Sequence, residues 1–122
     1  MRCIFAIHKL SIMSARNQIV HHVFFWLKNP LSVDDAAQLI DGLKTLKAIP
    51  QIKNLLIGTP ASTMKRDVVD NSFQVSELMY FDDVEDQDIY QTHPVHVAFV
   101  EKYGHLWNKV VVYDMIANEP EE

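Results

Sequence analysis

The chain has 122 residues and a formal net charge of −5, with 11 Lys and Arg against 16 Asp and Glu. That length makes one domain able to bury a core without disulfides, and the single cysteine, Cys3, has no intrachain partner and belongs to no zinc-type spacing. Basic residues scattered on an acidic background argue against nucleic acid and anionic membrane as partners; a neutral or apolar small molecule, or a second protein chain, fits better.

Residues 1–17 lack the regularity of the rest of the chain. The apolar run from Met1 stops at His8-Lys9, short of the roughly 7–15 residues of a signal-peptide core, and no small-residue cleavage site comes after it. A disordered extension is expected, with Met13-Ser14-Ala15 as an alternative start. No apolar stretch approaches the roughly 18 residues of a membrane span, so the protein is expected to be cytoplasmic. Residues 118–122, acidic around Pro120, read as a solvated tail.

From residue 18 to residue 117 the pattern resolves into six elements. Ile19 to Leu27, rich in β-branched and aromatic residues and closed by Asn29-Pro30, reads as the first strand. Ser32-Val33-Asp34-Asp35 resembles a capping box, and Val33, Ala36, Ala37, Ile40, Leu43 and Leu46 or Lys47 recur at helical spacing up to Pro50. Ile52 to Ile57 is a second strand. Gly58 to Ser72 is a polar connection long enough to suggest a lid or simply a mobile loop. A third strand runs from about Phe73 to Phe81, and Asp82 or Asp83 caps a second helix with Val84, Ile89, Val97 and Val100 as its apolar members. Trp107 to Ile116 is a fourth strand. The order βαββαβ is that of an α+β, ferredoxin-like unit: a four-stranded antiparallel sheet with both helices on one face.

Within the second helix, Tyr90-Gln91-Thr92-His93-Pro94-Val95-His96 places a phenol and two imidazoles in seven residues. In an unbroken helix, Tyr90 and His96 would stand about 120° apart around the axis. Pro94 cannot donate to the carbonyl of Tyr90 and biases His93 toward extended backbone, so a restart is expected there, with Thr92 or His93 as cap and Pro94 at the first position. Tyr90 and His96 could then face one pocket. Taken alone, an HPxH at a helix restart is more often surface punctuation than part of a site.

The strands carry a second message. In the first, Val23, Phe25 and Leu27 lie opposite Val20, Phe24 and Trp26; in the fourth, Val111, Tyr113 and Met115 lie opposite Val110, Val112 and Ile116. Both sheet faces are apolar, whereas a sheet with one face in water alternates apolar with polar residues. Two helices cover one face only, so a second copy packed sheet to sheet, a two-fold homodimer enclosing an apolar chamber, is expected. His22 shares the Phe24 and Trp26 face and Asp114 the Val112 face; if these coincide, an imidazole and a carboxylate meet in an apolar cavity. The alternatives are a neutral core histidine and a solvated carboxylate.

These residues together, His22-Val23-Phe24, Leu56-Ile57-Gly58, Tyr90 with His93-Pro94-Val95-His96, and Val112-Tyr113-Asp114, resemble the stress-responsive dimeric α/β-barrel (Dabb) family over residues 18 to 117. The resemblance implies a ferredoxin-like protomer and a dimeric barrel. Most members have no assigned reaction. A plant branch of the olivetolic acid cyclase type closes a polyketide thioester by an aldol step without a cofactor, which by resemblance implies roles for Tyr90 and His96, supported by His22 and Asp114.

The chemistry can be stated from the residues themselves. A neutral His96 can remove a proton beside a carbonyl, Tyr90 can hydrogen-bond the resulting oxyanion, Asp114 and His22 can orient, and Phe24, Trp26 and His93 can contact substrate. No cofactor or metal is required. Three alternatives stay open: binding of a small apolar or phenolic metabolite without turnover; a metal site on His93 and His96, with His21 or His22 as a further candidate but no clear third ligand; and a cofactor-free oxygenase or haem-handling cavity.

Overall fold

A computed structural model describes residues 17–118. The expected extension and acidic tail lie, apart from Asn17 and Asn118, outside the described residues. The order is β1 (Ile19–Leu27), α1 (Val33–Lys44), β2 (Lys53–Gly58), β3 (Val75–Phe81), α2 (Val84–Thr92), α3 (Pro94–Tyr103) and β4 (Trp107–Ile116), with short 3₁₀ turns at Thr45–Ala48 and Gly104–Leu106. The strands form one antiparallel sheet in the order β2-β3-β1-β4, the ferredoxin-like arrangement. Among the described residues, no helix is long and apolar enough to cross a membrane.

Local chemistry sets the helix ends. The Ser32 hydroxyl accepts from Asp35 N and opens α1, and the Asp83 carboxylate accepts from Asp86 N and opens α2. At the break, His93 is extended (φ −63°, ψ 136°) and its own Nδ1 accepts from Val95 N, with Pro94 at the first position of α3. A proline there loses no helical hydrogen bond, because that N–H would have been unpaired in any case. The restart expected from sequence is present, and His93 is its cap.

The core lies between the helices and one sheet face. It holds Ile19, Val23, Phe25 and Leu27 of β1, Val75, Met79 and Phe81 of β3, Leu39 and Leu43 of α1, with Leu46, Ile49, Tyr90, Phe99 and Leu106. Several apolar residues expected in the helical core are elsewhere. Val33 is 84% exposed, and Leu39, which the expected stripe omits, is fully buried. Val84, Ile89, Val97 and Val100 are also exposed in the protomer, while Tyr90 and Phe99 face inward. The break at His93 resets the helical phase, so one periodicity cannot describe both halves. At Gly42, α1 and α3 come close: a Cβ there would stand 2.6 Å from the Tyr103 ring.

The opposite sheet face carries Phe24, Trp26, Leu56, Tyr113 and Met115 with no helix over it. Phe73, from the end of the long β2–β3 connection, packs edge-on against Phe24, and Ser72 accepts from the Trp26 indole at 3.0 Å. The end of that connection is therefore tied to β1. Strand periodicity predicts this two-faced sheet, and the described residues of the single chain leave the apolar open face largely uncovered.

Candidate functional site

Tyr90 and His96 converge. Their ring centroids are 4.4 Å apart at 46°, which the restart makes geometrically accessible. Both line a cavity of about 140 Å³ between the sheet and α2–α3, together with His21, Glu77, Phe99 and Trp107. Val100, Val110 and Val112 also line it and are partly exposed, so its rim is apolar.

Each polar group in this cavity has a definable state. His96 Nδ1 lies 3.1 Å from the carbonyl oxygen of Gln91. A carbonyl can only accept, so Nδ1 carries the proton and Nε2 keeps its lone pair. Burial lowers the His96 pKa; the Gln91 carbonyl acts the other way, and His21 adds a smaller lowering effect. Tyr90 is 1% exposed. Burial first, and then Glu77 once it ionises in alkaline solution, raises its phenol above the usual range, so it remains an O–H donor at working pH.

His21 supplies the next layer. Its Nδ1 is 2.6 Å from Asp114 Oδ1, and Gln87 donates to Asp114 Oδ2 at 3.2 Å. The carboxylate fixes the His21 tautomer and turns Nε2 away from itself. The His21 ring also stands edge-on to Tyr90 at 5.7 Å. Asp114 thus reaches the phenol only through an imidazole; its own side chain is 45% exposed and does not line the cavity.

The imidazole on Asp114 is His21, and the expected pairing with His22 is corrected. Asp114 is directly opposite His21 in the β1–β4 ladder, and His22 is opposite Tyr113. Successive strand residues point to opposite faces, so a one-residue difference moves the imidazole through the sheet. His22 lies on the open face, where its Nε2 meets Ser76 Oγ at 2.9 Å and its ring packs on Phe24 at 4.1 Å. Burial, with a smaller contribution from His21, lowers its pKa.

Phe24 and Trp26 share that open face and line a separate depression with Phe73 and Tyr113. They do not meet Tyr90 and His96. His93 does not line the cavity either, its Nδ1 being engaged with Val95 N. The cavity around Tyr90 and His96 lies under the helices of one protomer, so these two residues do not face the open sheet face where a second sheet was expected to pack. Among the described residues, no group of three or more His, Cys, Asp or Glu is arranged to hold a metal ion.

Besides His21, for which its neighbour His22 was expected, a second cavity residue escaped sequence reasoning. Glu77, on β3 opposite Val23, is 3% exposed, and its Oε1 has no hydrogen-bond partner among the described residues. Burial pushes its carboxyl up to about 8. The signal was available: Glu77 alternates in phase with Val75, Met79 and Phe81, so it is an acid in the middle of an apolar strand face.

The family model for the stress-responsive A/B barrel domain (Dabb) matches residues 19–117. The chain belongs to this family. Solved structures it resembles include a hydroxynitrile lyase from Passiflora edulis, at 26% identity and TM-score 0.70, covering 87% of this chain and 98% of that one. A family protein with a ferredoxin-like fold from Mesorhizobium loti is 25% identical with TM-score 0.67, covering 84% and 98%. A dimeric ferredoxin-like protein of unknown function from Thermobifida fusca is 22% identical with TM-score 0.65, covering 81% and 90%, a likeness of fold. No curated protein matches the chain.

Proposed function

We propose that this family member uses the cavity under α2 and α3 for cofactor-free acid–base chemistry on a small carbonyl compound, of the enolisation, aldol or lyase kind. His96 is the general base and Tyr90 the oxyanion donor, with His21 held in place by Asp114. In an enolising step, His96 Nε2 takes the proton from the α-carbon and the electron pair moves to the carbonyl oxygen. The Tyr90 O–H donates to that oxygen as its charge grows. When the enolate attacks a second carbonyl, the new alkoxide recovers the proton from His96.

The observation that carries this reading is the convergence of His96 and Tyr90, whose rings stand 4.4 Å apart in one cavity. The His96 Nδ1–H donates to the Gln91 carbonyl oxygen, which leaves Nε2 as the unprotonated nitrogen of the neutral ring, beside a phenol that burial keeps protonated. A base and a donor are thus set side by side in an apolar pocket, where hydrogen bonds to a developing charge are stronger than in water. The likeness to a hydroxynitrile lyase supports lyase-type chemistry on this fold. The same reading includes a cytoplasmic two-fold homodimer formed through the open face of Phe24, Trp26 and Tyr113, supported by the apolar character of that face and by dimeric structural relatives.

Deuterium uptake at the α-carbon of phenylacetone, followed by NMR, tests the chemistry. The parent should accelerate exchange. His96→Ala should remove roughly 100-fold or more of the acceleration, the usual contribution of a positioned base, and Tyr90→Phe a comparable amount, as for an oxyanion donor. Equal exchange in the parent and His96→Ala would leave a binding protein for a small apolar or phenolic metabolite as the better reading.

A further inference from the structure

Glu77 has a place in the cavity but no part in the chemistry above. Its neighbours on β3, Val75, Met79 and Phe81, are core residues, and its Oε1 is buried without a partner among the described residues. Unsatisfied buried polar atoms are rare because each costs about 1–3 kcal/mol. Among the described residues no Lys or Arg lines the cavity, so no fixed positive charge there compensates an ionised carboxylate. Asp114, the other nearby acid, is already engaged by His21 and Gln87. At neutral pH, Glu77 is therefore a carboxylic acid whose O–H faces an apolar space beside Tyr90 and His96.

We propose that Glu77 is a substrate-binding acid, whose carboxylic O–H donates to the carbonyl oxygen of the bound compound alongside the Tyr90 hydroxyl. The site then has two neutral donors for one oxygen, one from β3 and one from α2. Both remain neutral in the free protein and meet charge only as it develops on the ligand. No proton need leave Glu77: it stays on the acid and is shared with the ligand oxygen. The ligand class this selects is a neutral carbonyl compound with an apolar body. The groups facing Glu77 from packed elements are His21 of β1, Tyr90 of α2 and His96 of α3, while α1 presents Leu39, Gly42 and Leu43.

The inference rests on the carbonyl reading of the cavity but not on His96 acting as a base. The probe is accordingly benzaldehyde, which has no α-hydrogen. Binding by calorimetry at pH 7 should weaken about tenfold or more in Glu77→Leu, the loss of one buried donor, and should change little in Glu77→Gln, whose amide still donates. Parent affinity should fall as pH rises through about 8, while Glu77→Gln lacks that limb. The infrared difference spectrum between the parent and Glu77→Gln at pH 7 should show a carboxylic acid C=O stretch that shifts when benzaldehyde is added.

Parent-like affinity in Glu77→Leu, a basic limb retained by Glu77→Gln, or no acid band would each overturn the assignment. So would benzylamine binding above pH 8 more tightly than benzaldehyde in the parent but not in Glu77→Leu, because Glu77 would then act as a carboxylate for cations. Inactivity of His96 as a base would alter the phenylacetone exchange and leave these results untouched.

Discussion

Replacing Glu77 with glutamine should remove a pH-dependent instability. In the folded protein its carboxyl titrates at about 8, against an ordinary value of 4.5. Between those values the folded state holds a proton that the unfolded chain has released. Stability from this group is therefore fully present below 4.5, declines as pH rises toward 8 and is level above it. Each pH unit in that window is worth about 1.4 kcal/mol, so raising pH from 5 to 7 should cost the parent about 3 kcal/mol that the glutamine variant does not lose. Other titrating groups are common to both proteins and drop out of the difference. Urea unfolding of each at pH 5, 6 and 7, at one fixed protomer concentration because a dimer's stability depends on it, measures the quantity directly. If the parent and variant curves stay parallel across that range, Glu77 is ionised in the folded protein at neutral pH, and the reasoning about its burial is wrong.

Three further outcomes are expected. Gly42→Ala should lower the melting temperature: alanine gains about 1 kcal/mol of helix propensity, but its methyl would stand 2.6 Å from the Tyr103 ring, and overpacking of that kind costs about 1–3 kcal/mol; a raised melting temperature would show that α1 and α3 can separate freely. Because burial lowers the His96 pKa, its basic form persists below pH 6.5, so phenylacetone exchange should hold steady from neutrality through that value and fall only in more acidic solution; an acid limb at or above 6.5 contradicts the assigned environment. Phe24→Glu places a charge in the centre of the open sheet face at each copy of the proposed interface, where an unpaired buried charge costs several kcal/mol; sedimentation should show monomers at concentrations where the parent is dimeric, and an unchanged dimer would move the interface elsewhere.

Much of the protomer was legible along the chain because its signals are local. The bounds of the first and fourth strands, the Ser32 and Asp83 caps and the restart at Pro94 each depend on a few neighbouring residues and on backbone sterics. The helical core was less legible. Val33 and Val97 fit an apolar repeat yet lie exposed, while Leu39 and Phe99 are buried, since the face a helix turns inward depends on where it lands on the sheet. A kinked helix has two such faces.

By itself the sequence determined the order of elements, the apolar character of both sheet faces and the presence of a phenol and an imidazole across a helix break. Only the tertiary structure decided which imidazole meets Asp114. That choice rests on the pairing register between strands 93 residues apart: the two-residue pleat sends His21 to the helices and His22 to the opposite face, and a single-residue difference is invisible until the strands are aligned. The β1–β3 register, which sets Glu77 opposite Val23, turns Glu77 to the helix side of the sheet, converting an acid in a strand into a buried group within the candidate site.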